Sequence, residues 1–404
     1  MIFVGIDWSE THHDACIVDV DGRVLTKGRV PEGVDGVRKL HEMVAAHVED
    51  PSQVVVGIEL DRGLLVGALV AAGYTVHAIN PLSVDRYRDR HRTSGAKSDP
   101  GDAKVLADLV RTDRHLHRRV AGDTEFAEAV KVLARAHQGL IWSRQRQLNQ
   151  LRNALREFYP AALEAFGTDL ASTDALAVLE VAPTPAEGRS LSSPRIAAAL
   201  KRGGRRRRII ERADEVKSAL RSSQLEAPAL LARAYGDVVR STVRIVAEMT
   251  AQIEQLAGEL EASFEEHPDA EILRSLPGLG SVLGARVLAE FGDDPDRYAD
   301  PKARKNYAGT SPITKASGRS KVVLARFARN RRLADALEMW AFCSLSCSDG
   351  ARRYYDSHRA RGNTHRRALR ALANRWVGIL HGCLRHRDRY SEQRAWLAPA
   401  DAAA

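Results

Sequence analysis

Residues 2–7 read Ile2-Phe3-Val4-Gly5-Ile6-Asp7, a short apolar stretch that ends in a carboxylate. A second stretch has the same form, Val54-Val55-Val56-Gly57-Ile58, and is followed by Glu59. Both are short, apolar and rich in β-branched residues, which is typical of strands buried in a sheet. Each stretch therefore predicts a strand that carries an acid at its carboxyl end.

The first 115 residues alternate between predicted strands and helices. After the first strand, the pattern predicts strands at 14–18 and 23–30, a helix at 34–48, the strand before Glu59, a helix at 64–72 and a strand at 74–79. A strand, a hairpin and then alternating helices and strands is the order of an α/β sheet of the ribonuclease H-like kind. In such open sheets, ligand-binding and catalytic residues lie at the carboxyl ends of the strands, where Asp7 and Glu59 are expected.

Two further acids, Asp99 and Asp102, lie where the next helix is predicted to begin. Their i, i+3 spacing places them on one helix face, with Cβ atoms about 5–6 Å apart. Taken singly, Asp99 is better interpreted as a helix cap and Asp102 as a first-turn acid. Taken with Asp7 and Glu59, they can hold two divalent cations about 3.5–4 Å apart, the arrangement that serves phosphodiester chemistry. Magnesium suits such a set because it is a hard ion that takes oxygen ligands.

A polar, basic segment at 85–97 stands directly before these two acids and includes Arg92 and Lys97. It is either a solvated loop or a loop that brings a nucleic-acid backbone to the metals. Its position beside the acids favours the second interpretation.

Composition indicates a polyanionic partner. The 404 residues include 61 Lys and Arg against 52 Asp and Glu, for a formal charge of +9 and a pI near 9.5. The four cysteines fit no zinc module, no secretory signal precedes them, and no apolar run approaches the roughly 20 residues that span a bilayer. We therefore expect a cytoplasmic protein associated with the nucleoid.

Residues 116–268 are predicted to be helical. The apolar residues Val246, Met249, Ile253, Leu256 and Leu260 follow a 3, 4, 3, 4 spacing, which is typical of a coiled coil or a helix bundle. This seam predicts self-association, and its alternative is an intramolecular pairing with the similarly patterned helix at 148–158. The basic run at 201–208 is either solvated or a flexible nucleic-acid contact.

Residues 269–390 are predicted to form a third, mostly helical domain, with a tail at 391–404. The stretch Leu276-Pro277-Gly278-Leu279-Gly280 resembles one helix-hairpin-helix element, whose glycines let backbone N–H groups approach a phosphate. Farther along, Lys315-Ala316-Ser317-Gly318-Arg319-Ser320-Lys321 presents hydroxyls among phosphate-binding side chains.

These motifs, in this order, resemble the DEDD-type insertion-sequence transposases, relatives of insertion sequence family 110 and of the pilin gene invertase. The resemblance covers the first 115 residues and roughly 270–385. It implies a Holliday-junction-resolvase-like domain that binds Mg²⁺ through Asp7, Glu59, Asp99 and Asp102. It also implies a C-terminal transposase domain in which Ser317 is the nucleophile, with Arg319 and Lys321 as phosphate contacts.

Some members of this family are guided by a structured noncoding RNA, the bridge RNA, which pairs with donor and target DNA. The resemblance therefore implies DNA and a guide RNA as partners, and recombination between two DNAs implies a dimer or a tetramer. The residues alone favour Ser317 as a turn residue or a plain phosphate contact, and Ser311 and Ser320 remain alternatives for the nucleophile.

Three other functions fit parts of the chain. A metal-dependent junction nuclease would use the same four acids with water and would not need Ser317. A sugar kinase of the actin-like fold also opens with a strand, Gly5-Ile6-Asp7 and a hairpin, but Trp8-Ser9-Glu10 stands where its Gly-Thr phosphate turn belongs. A non-catalytic nucleic-acid scaffold would tolerate replacement of the acids.

Overall fold

A computed structural model describes residues 1–91, 99–120, 122–318, 320–326 and 329–396. The chain divides into two compact units, residues 1–122 and residues 123–404. None of the described helices combines the length and apolar character needed to cross a membrane. The division into three domains stays a prediction, and the structure groups the helical middle and the C-terminal region together.

Unit 1, residues 1–122, is built on a mixed six-stranded sheet with the order β3-β2-β1-β4-β5-β6. The strands are β1 (Ile2–Trp8), β2 (His12–Val18), β3 (Val24–Pro31), β4 (Val54–Ile58), β5 (Thr75–Ala78) and β6 (Arg118–Arg119). The first three strands form an antiparallel meander, and β1, β4 and β5 run parallel. The sheet confirms the α/β class predicted for this part of the chain.

Helices cover both faces of this sheet. They are α1 (Val34–Ala45), α2 (Leu64–Ala71), α3 (Pro81–His91) and α4 (Asp99–Thr112). One core contains side chains of α1 and α2 packed on Val4 and Ile6, and the other contains side chains of α4 packed on Phe3 and Val55. Successive strand residues point to opposite faces, so the alternation along β1 divides its side chains between these two cores.

Two glycines bring α4 unusually close to the sheet. Gly5 and Gly57 are register partners on β1 and β4 and lie beneath this helix. A Cβ at Gly5 would stand 1.9 Å from the carbonyl oxygen of Ala103, and one at Gly57 would stand 2.7 Å from that of Leu106. Neither position therefore accepts a side chain unless the helix moves. This contact fixes where the first turn of α4 lies along β1.

The segment 85–97 is not simply a loop. Residues 85–91 belong to α3, and Arg92 and Lys97 lie outside the described residues. Asn80 starts this helix by accepting a hydrogen bond from the backbone N–H of Leu82, and Pro81 has no N–H that would need a partner there.

Two long helices organise unit 2, residues 123–404. They are α5 (Glu125–Phe158) and α11 (Ala229–Glu265), each about 50 Å long at 1.5 Å per residue. The start of α5 shares a core with the end of α11, and the end of α5 shares another core with residues 239–246 of α11. The two helices therefore run antiparallel, with one hydrophobic core at each end of the pair.

The apolar seam of α11 packs inside the chain. Val246 and Leu260 are fully buried, and Val246 shares a core with Leu151 and Leu155 of α5. The structure thus shows the intramolecular pairing that the sequence left as the alternative. In this conformation the seam is not free to form a subunit interface, and self-association stays a prediction.

The interval between the long helices is folded, although its sequence carries no motif. It holds α6 (Pro160–Phe166), α7 (Thr173–Val181), α8 (Pro185–Ser190), α9 (Ser193–Arg202) and α10 (Ile209–Leu220). Their apolar faces form a core with the end of α5, and Tyr159 lies fully buried in it. Arg205, from the basic run, donates to Asp174 over 2.8 Å, so this part of the run is held against the bundle.

The other core lies in the C-terminal part. It is formed by α12 (Ala270–Ser275), α13 (Ser281–Phe291), α14 (Pro301–Ala308), α15 (Arg331–Ser344), α16 (Asp349–Ala360) and α17 (His365–His386), with α18 (Glu392–Trp396) against it. Trp340 and Trp376 stack with ring centroids 5.4 Å apart. The predicted Pro-Gly-Leu-Gly turn links α12 and α13. Gly278 has a φ of 77°, and a Cβ there would stand 2.5 Å from the backbone nitrogen of Ser344.

We predict that Gly5→Ala lowers the free energy of unfolding of unit 1 by about 1–3 kcal/mol, the usual cost of overpacking a core. The physical reason is that α4 must shift away from β1 to admit the methyl group. Calorimetry on the full chain measures the change. Gly67→Ala on α2 is the matched control, because its Cβ would meet nothing within 4 Å. Equal stability of the two variants would contradict the close contact between α4 and the sheet.

Candidate functional site

Two of the predicted acids lie at the carboxyl ends of neighbouring strands in the sheet of unit 1, the edge of the sheet at which these strands end. Asp7 belongs to β1 and Glu59 follows β4, and these parallel strands pair with Ile6 opposite Ile58. Asp7 comes two residues after Gly5, so its side chain points to the face that α4 covers. Asp7 is half-buried and Glu59 is exposed.

The other two acids lie on the first turn of α4, above this edge. Asp99 begins the helix with its side chain 60% exposed, whereas the side chain of Asp102 is 8% exposed. Nη2 of Arg88, on α3, donates to Oδ1 of Asp102 over 2.7 Å. Since Asp102 directly precedes Ala103, the contact between Gly5 and α4 is what holds it next to β1.

A fifth carboxylate, Asp14, was missed by the sequence reasoning. It lies on β2 directly opposite Asp7 and is buried. Arg29 of β3 donates to both of its oxygens, from Nε over 3.2 Å and from Nη2 over 2.8 Å. Ligand atoms of His12, Asp14 and Asp99 lie within 4.8 Å of one another, a spacing that could hold a metal ion. The available signal was the hairpin, because pairing β1 with β2 brings an acid of β2 beside Asp7.

The acids also act on one another electrostatically. The pKa of Asp7 is raised from 3.8 to about 6, chiefly by burial and then by the negative charges of Asp102, Asp99, Glu59 and Asp14, in that order. Like charges disfavour the ionised form of a neighbouring carboxyl, so this shift places all five acids within electrostatic reach. The other three predicted acids and Asp14 therefore lie within electrostatic reach of Asp7, whereas the group found at metal-binding spacing among the described residues is His12, Asp14 and Asp99.

Such a cluster fits a divalent cation. Four carboxylates act electrostatically on the half-buried Asp7, and a cation placed among them would offset the repulsion that contributes to its raised pKa. Arg29 and Arg88 supply part of that positive charge already, each through a hydrogen bond to one of the acids. The carboxylate oxygens suit a hard ion such as Mg²⁺, whereas the nitrogen of His12 would suit a transition metal equally well.

The predicted serine lies in unit 2, on a small hairpin. Strands β7 (Ile313–Ser317) and β8 (Ser320–Leu324) pair antiparallel, with Ser317 opposite Ser320. Both serines and Lys321 are exposed, and Gly318 in the turn has a φ of 53°, which favours glycine. Arg319 lies outside the described residues. Ser311 precedes the hairpin and is half-buried.

Comparisons with known proteins point to one family. A family model of DEDD transposases of the IS110 type, described as "Transposase", matches residues 4–160. A second model, described as "Transposase IS116/IS110/IS902 family", matches residues 270–356. The first match covers the acids and the second covers Ser317.

Whole proteins are similar as well. The "Mini-circle putative transposase for IS117" of Streptomyces coelicolor is 45% identical over 407 residues, which cover 100% of this chain and 98% of that protein. The "Insertion element IS900 uncharacterized 42 kDa protein" of Mycobacterium paratuberculosis is 30% identical over 392 residues, which cover 95% of this chain and 96% of that protein.

We predict that Asp7→Asn stabilises the metal-free protein at about pH 8 and has no effect at about pH 4. The folded-state pKa of Asp7 is raised, so the folded chain loses stability as pH rises from about 4 to about 6. Asparagine removes that charge; the shift alone corresponds to about 3 kcal/mol, and because Asp7 is only half-buried, solvent screening reduces the expected gain in free energy of unfolding to the order of 1 kcal/mol. Calorimetry at the two pH values, with chelator present, measures it.

The control is Asp89→Asn, which removes an exposed carboxylate of α3. It is expected to leave the stability unchanged at both pH values. A gain at about pH 4 as large as that at about pH 8 would mean that charge repulsion at Asp7 is not its source.

Proposed function

Because the chain belongs to the IS110 family of insertion-sequence transposases, we propose that it cuts and rejoins DNA with a magnesium site in unit 1 and a serine nucleophile in unit 2. The chain is a DNA transposase, and DNA is its partner. A DEDD domain implies dependence on a divalent metal. Membership in this family excludes the actin-like sugar kinase and the non-catalytic scaffold.

The observation that carries the proposal is the convergence of acids on Asp7. Four carboxylates, Asp7, Glu59, Asp99 and Asp102, would hold Mg²⁺ on the α4 face of the sheet edge. When bound, the ion would polarise a DNA phosphodiester and stabilise the charge that develops on it. Asp102 would keep its orientation through Arg88, which donates to one carboxylate oxygen and leaves the other for the ion.

Ser317 would supply the covalent step. Its Oγ attacks a backbone phosphorus and loses its proton, the bond from phosphorus to a deoxyribose oxygen breaks, and that oxygen leaves as a hydroxyl. The phosphoserine ester keeps the energy of the broken bond, so a hydroxyl of a new DNA partner can reverse the reaction without external energy. What supports this role is the exposed position of Ser317 beside Lys321, together with the family match over residues 270–356.

We further propose that the chain acts as an oligomer with a structured guide RNA. The formal charge of +9 and the Arg-rich surfaces of unit 2 are compatible with a second nucleic-acid partner. Two DNA partners require at least two sets of active groups, which favours a dimer or a tetramer.

One competing function is favoured by a specific observation. All four acids lie within unit 1, which could hydrolyse a DNA junction with water and without Ser317. The loss of Ser317 separates this nuclease from the transposase.

We predict that Asp102→Asn lowers strand exchange by roughly 10²-fold or more, the scale of losing one charge-stabilising group. The affinity for DNA, measured by electrophoretic mobility shift, should stay close to that of the natural chain. Calorimetric titration should show weakened Mg²⁺ binding. Asparagine retains an oxygen that accepts the hydrogen bond of Arg88, so the fold is preserved. Asp89→Asn is the control. Full recombination by Asp102→Asn would remove this acid from the site.

We predict that Ser317→Ala abolishes both the covalent protein–DNA adduct and strand exchange. A suicide DNA substrate traps the adduct, and mass spectrometry locates the linked residue. Ser320→Ala is the matched control, because Ser320 pairs with Ser317 across the hairpin and is also exposed.

The outcomes separate the two functions. Retained DNA cleavage without adducts in Ser317→Ala would favour the water-dependent nuclease. An adduct on Ser311 or Ser320 would keep the transposase chemistry and move its nucleophile.

A further inference from the structure

A cavity of about 420 Å³ lies where α14 meets α17 in the C-terminal part of unit 2. It is far along the chain from the acids, and the serine hairpin does not line it. Its walls come from α14, from one face of α17 and from the segment 388–395. No step of the proposed chemistry uses these residues.

The cavity is lined by an excess of positive charge. Among the described residues that line it, the cationic side chains are Lys305, Arg375, Arg389 and Arg394, and the one acid is Asp388. His386, at the end of α17, also lines it. This local balance is far more positive than that of the chain as a whole, where cations exceed acids only by 61 to 52.

These cations are available to a ligand. Within the part of the chain that the structure describes, Lys305 has no ion-pair partner. Arg394 pairs with Asp388 over 3.1 Å, and Arg389 pairs with Glu271, but all four of these side chains are more than half exposed. Exposed pairs of this kind are worth only about 0–1 kcal/mol, so a stronger anion can replace the carboxylates.

Part of the cavity wall is helix backbone without side chains, because two residues of α17 that line it are glycines. Gly378 and Gly382 are one turn apart on α17, and both line the cavity. A Cβ at Gly378 would stand 2.9 Å from Nζ of Lys305, so this lysine lies across the helix at that point. A Cβ at Gly382 would meet nothing within 4 Å, because that space is the cavity itself. Larger residues here would fill the space between the cations.

We propose that this cavity binds a backbone phosphate of nucleic acid, with Lys305 and Arg375 as its principal contacts and Gly382 as the opening that admits the phosphate. The inference rests on the proposed function only in requiring a nucleic-acid partner. It adds a binding surface that is separate from the acids and from Ser317.

The chemistry of the walls favours a phosphodiester. Guanidinium groups match the two free oxygens of a phosphodiester in a bidentate manner, and an ammonium group adds a point charge. Arg375 is held at the wall of the cavity, because its guanidinium lies 5.5 Å from the ring centroid of Trp396 and donates one hydrogen bond to the carbonyl of Ala395, which leaves further N–H groups for a phosphate. DNA and RNA share this phosphate chemistry.

The test places a carboxylate in the cavity without removing a contact of the fold. Gly382→Glu should weaken binding of labelled duplex DNA and of labelled single-stranded RNA by roughly tenfold. The matched control is Gly258→Glu on α11, where a Cβ also meets nothing within 4 Å. Fluorescence anisotropy measures binding, and thermal unfolding checks that both variants fold.

A second variant removes a charge instead. Lys305→Ala should reduce the slope of log affinity against log salt concentration by about 1, as expected for the loss of one phosphate contact. This variant decides the matter if Gly382→Glu does not fold.

Each outcome has one meaning. Loss of affinity for both probes supports a shared phosphate site, and loss for one probe supports the site and identifies that nucleic acid as its source. Natural-chain affinity and salt slope in both variants would overturn the proposal while leaving the transposase function intact. If the natural chain bound neither probe, the proposed function would fail together with it. Capture of poly-glutamate at this cavity, with nucleic-acid binding unchanged in the variants, would assign it to an acidic protein segment and overturn the proposal.

Discussion

The candidate site of unit 1 depends on the contact between a helix backbone and two glycines of the sheet. Gly5 and Gly57 leave no Cβ between β1, β4 and α4, so that the helix rests directly on the strands. Because a helix is rigid, this one contact sets the height and the direction of its whole first turn. The acids at the strand ends and those at the helix start are thereby held within reach of one another. Packing thus determines the geometry of the charges.

Holding these acids close together is unfavourable because their negative charges repel, and two arginines reduce the repulsion. Arg88 and Arg29 each donate to one acid of the cluster, and they come from different elements, α3 and β3. The remaining repulsion is visible at Asp7, whose pKa is raised to about 6. Perturbed carboxyls of this kind are concentrated at functional sites, because burial and neighbouring charges are arranged there to shift the pKa. The unfavourable charge is therefore consistent with a position that is completed by a cation.

The sequence predicted the parts of this site that depend on local pattern. The two apolar stretches placed Asp7 and Glu59 at strand ends, and the i, i+3 spacing placed Asp99 and Asp102 on one helix face. The sequence did not predict Asp14 as a site residue, because its place beside Asp7 depends on the register between β1 and β2. That register cannot be deduced from either strand sequence alone.

The same limit explains the seam of α11. Periodicity shows which face of a helix is apolar, but not whether the covering helix belongs to the same chain. Here the covering helix is α5, which lies about 100 residues earlier in the sequence. The hydrogen bond from Arg144 to Thr250, for example, joins residues that are 106 positions apart.

The acids and Ser317 differ in how firmly the structure holds them. The acids are fixed by a packed core, whereas Ser317 lies on an exposed two-stranded hairpin, and such hairpins are marginally stable by themselves. In the proposed function, the metal site would thus be built by folding, whereas the serine would be positioned by whatever covers the hairpin, for which the DNA substrate is the natural candidate.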